Sequence, residues 1–191
     1  MGNADLYRED HTSHKSFARH RFSPAMPVPC MTAILPIRIA LYEPDIPQNT
    51  GTILRLAACL GVETHIIDPA GFPTSDRAFR RAGMDYLDQV EIARHADWDA
   101  FETWRAGAAA RLIVFTTHAR RSYLEHAFRR GDVLLFGRET SGVPEKVHTA
   151  ADARLLIPMR QGLRSLNVAM AAAMAVGEAM RQTQAQASGE S

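Results

Sequence analysis

From Ile37 onward the chain repeats one pattern: a short apolar run rich in β-branched residues, a loop, and then a stretch of helical spacing. The runs are Ile37–Glu43, Glu63–Asp68, Leu87–Ala93, Arg111–Thr117, Asp132–Gly137 and Ala153–Met159. Runs this short and this continuously apolar read as strands buried on both faces, which an antiparallel sheet with one wet face does not need. Helical segments between them cover a parallel sheet from both sides. The expected fold is α/β, with a mostly parallel six-stranded sheet and helices on both faces. Helices are expected from Asn49 and Thr50 to a close at Gly61, at 76–83, at 97–106, at 121–129 and from Ser165 to Thr183.

Residues 1–35 break the pattern. They are polar, lack apolar periodicity and end in a proline-rich run, so they read as a disordered extension, with Met26 and Met31 as alternative starts. Residues 36–184 are expected to form one domain and 185–191 a flexible tail. The two cysteines, Cys30 and Cys59, lack metal-ligand spacing and fit a reducing, cytoplasmic setting. No apolar run approaches the roughly 18 residues that cross a bilayer. Only Lys15 and Lys146 are lysines among 22 basic residues. Arginine's planar, permanently charged fork suits phosphate, although an arginine-favouring genome gives the same count.

The Pro47–Gly61 helix holds a puzzle. Asn49 and Thr50 open it and Gly61 closes it, while Ile53, Leu54, Leu56, Ala57, Ala58, Cys59 and Leu60 surround one cation, Arg55. Such a helix is expected to be buried, and an unpaired buried charge is costly. Arg55 therefore has either an internal partner (Glu43, Asp45 or Glu139) or a function.

In parallel α/β sheets ligands sit beyond the strands' carboxyl ends. Three loops there carry unusual residues: Glu43–Gly51, Phe136–Glu145 and Ile157–Asn167. No G-x-G-x-x-G follows the first strand, and no P-loop, H-E-x-x-H or G-x-S-x-G motif occurs. A dinucleotide enzyme, a P-loop ATPase, a zinc protease and a serine hydrolase are thereby disfavoured, and no metal is expected. Ser165 or Asn167 is the natural cap of the last helix.

Taken in order, Asn49-x-Gly51-x-x-x-Arg55, Phe136-Gly137-x-Glu139-x-x-Gly142 and Ile157-Pro158-Met159 with Ser165-Leu166-Asn167 resemble the three motifs of the SpoU branch of the SPOUT RNA methyltransferases. Over about 37–183 the chain looks like the minimal members, which consist of the catalytic domain alone. The resemblance implies a C-terminal trefoil knot, a homodimer through the last helix, and S-adenosylmethionine as cofactor. It implies methyl transfer to the ribose 2′-hydroxyl of a tRNA nucleotide, the wobble cytidine or uridine of the anticodon. Another tRNA or rRNA position is the nearest alternative, and a non-catalytic RNA-binding dimer is a further one. Carried over by position, the cofactor contacts are Phe115, Thr116, Gly137, Ile157, Ser165 and Leu166, and the catalytic set is Arg55, Asn49 and Glu139. Arg138 departs from the family pattern, where proline is common between the glycine and the glutamate. Gly177 departs too, where some members have tyrosine.

Arg77, Arg80 and Arg81 share one helical face by their i, i+3, i+4 spacing. That face is either a solvated stripe or a phosphate-contacting patch for the anticodon stem-loop. Arg138 and Arg164 are assigned to the same RNA surface, with Arg120, Arg121 and Arg160 as weaker candidates. Leu166, Met170, Ala173, Met174, Gly177 and Met180 form a stripe on the final helix, expected to be core and, through the resemblance, part of the dimer interface.

Overall fold

A computed structural model describes residues 37–74 and 89–188. Among them lie β1 (Arg38–Tyr42), α1 (Pro47–Leu60), β2 (Glu63–Ile67), β3 (Ile92–His95), α2 (Trp98–Gly107), β4 (Leu112–Phe115), β5 (Arg121–Ser122), β6 (Val133–Phe136), α3 (Glu145–Ala150), β7 (Ala153–Leu156) and α4 (Val168–Ser188). The sheet runs β3-β2-β1-β6-β4-β7-β5, and each neighbouring pair is parallel.

Strand alternation divides the apolar residues between two layers. Ile39, Leu41, Leu134, Phe136 and Leu155 face Ile53 and Ala57 of α1 and Ala169, Ala172, Val176 and Ala179 of α4. Ala40, Tyr42, Val114, Val133 and Leu135 face Trp98 and Phe101 of α2 and Val147 of α3. Each fully buried branched or aromatic side chain contributes roughly 1.5–3 kcal/mol, so the central strands dominate the stability of the sheet.

Several sequence expectations change in detail. The sheet has seven strands, not six, because Arg121–Ser122 pairs with β7 where a helix over 121–129 was expected. A 3-10 turn, Tyr123–Glu125, follows it, with the Ser122 hydroxyl accepting from the Leu124 N–H at 3.2 Å. Tyr123 and Phe128 are both buried. Five residues apart, they would lie about 140° apart around an α-helix, so only a non-helical path turns both inward. The third strand begins at Ile92, later than expected, and the short α3 was not foreseen. The last helix starts at Val168 and continues past Thr183 to Ser188. The basic segment 76–83, and with it Arg77, Arg80 and Arg81, lies outside the described residues.

Two helices also differ in what they bury. α1 begins at Pro47, one residue after the extended Ile46, so Asn49 and Thr50 sit inside its first turn. Gly61 closes it in the left-handed region, φ 66°, with its N–H on the Ala57 carbonyl. Only Thr50, Ile53, Leu54 and Ala57 are buried, and Arg55 is exposed. On α4 the small residues, not the methionine stripe, face the sheet. Leu166, Met170 and Met174 are 40%, 53% and 43% exposed, whereas Ala172, Ala175 and Ala179 are fully buried.

Under α2 lies a buried histidine pair. His65 Nδ1 and His95 Nε2 are 2.9 Å apart, and the rings stack among Phe101 and Trp104. Burial, the neighbouring His95 and Arg38 push the His65 imidazole down to about 3, and burial lowers His95 as well. Both pKa values lie below the unfolded value near 6.5, so the unfolded chain binds protons first as pH falls. Stability is complete above about pH 6.5 and is lost progressively below it. Thermal melts between pH 7 and 4 are expected to show a falling midpoint, and His65→Phe to flatten that slope; an unchanged slope would refute the assignment.

Candidate functional site

The ends of β1, β4, β6 and β7 open on one edge, and the three motif loops meet there. The loop after β6 is the tightest. Arg138 and Gly142 exchange both backbone hydrogen bonds, each 2.9 Å, leaving Glu139, Thr140 and Ser141 as its tip. Gly142 has φ 69°, a conformation glycine adopts at little cost. Gly137 is required for space instead: a Cβ there would lie 2.6 Å from the Gly142 carbonyl carbon and 2.7 Å from Val143 Cγ1.

This hairpin presents three consecutive side chains to the loop after β1. The Arg138 guanidinium grips both carboxylate oxygens of Asp45, at 2.6 and 3.3 Å, and Glu43 at 3.0 Å. The Thr140 hydroxyl donates to Asp45 at 2.5 Å. Arg138 and Thr140 together hold the Asp45 carboxyl below the usual carboxylate range. Between them, Glu139 accepts from the Asp45 backbone N–H at 2.9 Å and from Asn49 Nδ2 at 3.1 Å. Glu43 itself stands at φ 44°, an uncommon backbone state for a non-glycine residue, which the surrounding bonds must maintain.

The third loop closes the circuit. Asn167 Nδ2 donates to Asn49 Oδ1 at 2.9 Å, and Asn167 Oδ1 accepts from the Ala169 and Met170 N–H groups at 2.8 and 3.4 Å. Asn167 is therefore the cap of α4, and its other half reaches α1. One hydrogen-bonded chain, Glu139–Asn49–Asn167, runs through all three motifs.

Around it lies a cleft of about 850 Å³, within the range of small-molecule sites. Its walls include Phe115, Thr116, Gly137, Ile157, Ser165 and Leu166, together with Asn49, Glu139, Arg138 and Arg164. Every cofactor residue named from the sequence is thus brought to one cavity. Arg55 is not among the lining residues; it stands on the exposed face of α1. Arg120, Arg121 and Arg160 are exposed, and Arg121 donates to the Glu125 carbonyl at 2.6 Å.

The cleft also contains residues that the sequence did not single out: His118, His148 and Arg154. The buried Nδ1 of His148 has no hydrogen-bond partner among the described residues. Thr50, Thr64, His65 and His126, away from the cleft, also carry buried polar atoms without a hydrogen-bond partner among the described residues. No sequence signal could have found His148, because the short α3 that carries it lacks a recognisable period. Among the described residues no group of three or more His, Cys, Asp or Glu could hold a metal ion.

The glycine requirement gives a direct test. Gly137→Ala is expected to cost about 1–3 kcal/mol in urea unfolding, as overpacking does. Ser141→Ala, at the exposed loop tip, is expected to leave stability unchanged. Equal stability of the two variants would contradict the close approach.

Comparison with known proteins agrees with this geometry. The model of the SpoU rRNA Methylase family matches residues 36–177. A protein of Beijerinckia indica subsp. indica named tRNA (cytidine(34)-2'-O)-methyltransferase is 61% identical over 144 residues, covering 75% of this chain and 90% of that protein. A solved structure described as giving structural insights into the 2-OH methylation of C/U34 on tRNA superposes with a TM-score of 0.71 at 42% identity, covering 76% of this chain and 95% of that one. The SpoU methyltransferase AviRb from Streptomyces viridochromogenes in complex with AdoMet has a TM-score of 0.66 at 27% identity, over 75% of this chain and 59% of its own.

Proposed function

The chain belongs to the SpoU rRNA methylase family, and on that premise we propose that it transfers a methyl group from S-adenosylmethionine to the ribose 2′-hydroxyl of a tRNA nucleotide, the wobble cytidine or uridine at position 34. The observation that carries this reading is the cleft at which the Glu139–Asn49–Asn167 chain gathers three loops. The names of the relatives at 61% and 42% identity support the position and the nucleotide.

The cofactor fits the cleft. The volume suits a nucleoside with a short tail, and Ile157, Leu166 and Phe136 supply apolar wall for a purine. Gly137 lets the hairpin after β6 close tightly at the cleft wall. Phe115, Thr116, Gly137, Ile157, Ser165 and Leu166 would hold the group, which supplies a methyl on a positively charged sulfur.

The protein's task is then to position the 2′-oxygen and to favour loss of its proton as the new carbon–oxygen bond forms and the carbon–sulfur bond breaks. Asn49, fixed from both ends by Glu139 and Asn167, is preorganised to orient the reacting loop or the ribose. Arg55 carries the electrostatic role. Arginine is a permanent cation with five donors and no acceptor, so Arg55 binds the adjacent phosphate or the developing oxyanion and makes the hydroxyl more acidic.

Arg55 acts in this reading from a second subunit. α1 and α4 pack together on one face of the sheet, and Met170 and Met174 of α4, with Leu166 just before it, are exposed apolar residues. A homodimer covering them would bring one protomer's Arg55 toward its partner's cleft. The trefoil knot and a cytoplasmic location complete the proposal. No described helix is long and apolar enough to cross a membrane. Arg164 at the cleft, and Arg77, Arg80 and Arg81, are proposed to hold the anticodon stem-loop.

Mapping 2′-O-methylation of total tRNA and rRNA with and without the protein tests the reaction. Loss confined to nucleotide 34 is expected, and full methylation there with loss elsewhere overturns the assigned position. Arg55→Ala should keep its fold and its affinity for S-adenosylhomocysteine while losing roughly 10²–10³-fold in turnover, the usual effect of removing one donor to a developing oxyanion. Normal turnover would remove Arg55 from the mechanism. Met170→Glu with Met174→Glu should halve the sedimenting mass; a wild-type chain that already sediments as a monomer refutes the dimer.

A further inference from the structure

Three carboxylates converge where the first and second loops meet. Glu43 leaves the end of β1, Asp45 follows it, and Glu139 arrives from the opposite loop. Like charges gathered in a partly buried junction repel one another unless a cation is set among them. The structure puts the Arg138 guanidinium there, with two bonds to Asp45 and one to Glu43. Its side chain is 34% exposed, and those of Glu43 and Asp45 are 20% and 13% exposed. Three donated hydrogen bonds occupy much of a guanidinium's fork, which leaves Arg138 poorly placed to contact a nucleic-acid phosphate.

We propose that Arg138 is a positioning residue, which holds Asp45 so that the Asp45 backbone N–H and the Asn49 amide meet the two oxygens of Glu139. The proposal rests on the methyl-transfer reading above and replaces the RNA-contact role that the sequence suggested for Arg138. Its logic is local. Arg138, Glu139 and Thr140 are consecutive and all three bind Asp45, so the direction of the Glu139 carboxylate is fixed by the bonds on either side of it. Glu139 then orients Asn49, and Asn49 orients Asn167. Without the guanidinium the Asp45 carboxylate stands unneutralised beside Glu139, and the repulsion acts on the group that the site needs still.

That repulsion gives the proposal a sign that a plain packing role does not have. Removing the Asp45 charge in addition to Arg138 should help, not harm. Asp45→Asn keeps the backbone N–H on Glu139 and an oxygen for Thr140, and it abolishes the like charge. A positioning error of about 1 Å costs on the order of 10²-fold in rate.

The experiment measures turnover on tRNA, the KM for tRNA, and direct binding of S-adenosylhomocysteine and of tRNA at several salt concentrations. The proteins are the full-length wild type, Arg138→Ala, Arg138→Lys, Asp45→Asn and the Arg138→Ala/Asp45→Asn double variant. Arg138→Ala is expected to lower kcat about 10²-fold with the KM for tRNA and both affinities within about twofold. Arg138→Lys keeps a cation without the fork and should fall between it and wild type. The double variant should turn over faster than Arg138→Ala alone, the coupling expected of residues in contact. If Arg138→Ala does not fold, Arg138→Lys is compared with Arg138→Lys/Asp45→Asn for the same gain.

Weakened tRNA binding with a shallower salt dependence and unchanged kcat overturns the proposal in favour of a phosphate contact. A double variant as slow as the product of the single effects overturns it too. Wild-type protein that methylates no 2′-hydroxyl refutes the underlying reading instead, and is distinguished by the wild-type control.

Discussion

The arrangement of the site depends on one carboxylate. Glu139 uses both oxygens, one on the backbone of the first loop and one on Asn49 of α1, across separations of 94 and 90 residues in the chain. Charge-assisted bonds of this kind are about twice as strong as neutral ones. They tie together segments that the sheet alone brings only into the same neighbourhood. Asn167 extends the tie across a separation of 118 residues while it caps α4. One amide thus couples the start of α4, the longest helix among the described residues, to the start of α1, so a shift in either helix is felt at the cleft.

What the sheet contributes is the placement of strand ends. β6 lies between β1 and β4, so the first and second motif loops leave adjacent strands, and β7 on the far side of β4 delivers the third. The reversal of strand order around β1 and β6 is where a parallel sheet leaves a crevice. Apolar layers on both faces make those ends rigid, and the close approach of Gly137 to Gly142 removes freedom from the tightest loop. Rigidity here has a chemical purpose, because a hydroxyl and a methyl donor react only when held within a narrow geometry.

The strands were legible in the sequence because burial on both faces leaves continuous apolar runs that no loop imitates. Ile39, Val114 and Leu134 could hardly have been placed elsewhere. Helix faces were less legible. α4 is apolar on two sides, with alanines on one and methionines on the other, and composition does not say which meets the sheet. In the structure the alanine side meets it. The stretch 121–129, expected as a helix, instead buries Tyr123 and Phe128, whose spacing runs against the helical period. The cleft's residues were named only through a resemblance of motifs, and the Arg138–Asp45 pair was invisible, since nothing local marks an ion pair across 93 residues.

Arg55 joins these threads. The sequence posed it as a charge inside an apolar helix, whereas only one side of that helix is buried and Arg55 stands on the other. An exposed guanidinium is well hydrated, and in high dielectric its attraction for a phosphate is about 1 kcal/mol at 4 Å. An interaction of that size shifts a hydroxyl's acidity by less than about one pKa unit. The same charge becomes several times more effective where a second surface excludes water. In the proposed dimer the exposed methionines of α4 would form that surface beside it. In that proposal assembly and catalysis are one requirement, because the partner that covers those methionines would also dry the surroundings of Arg55.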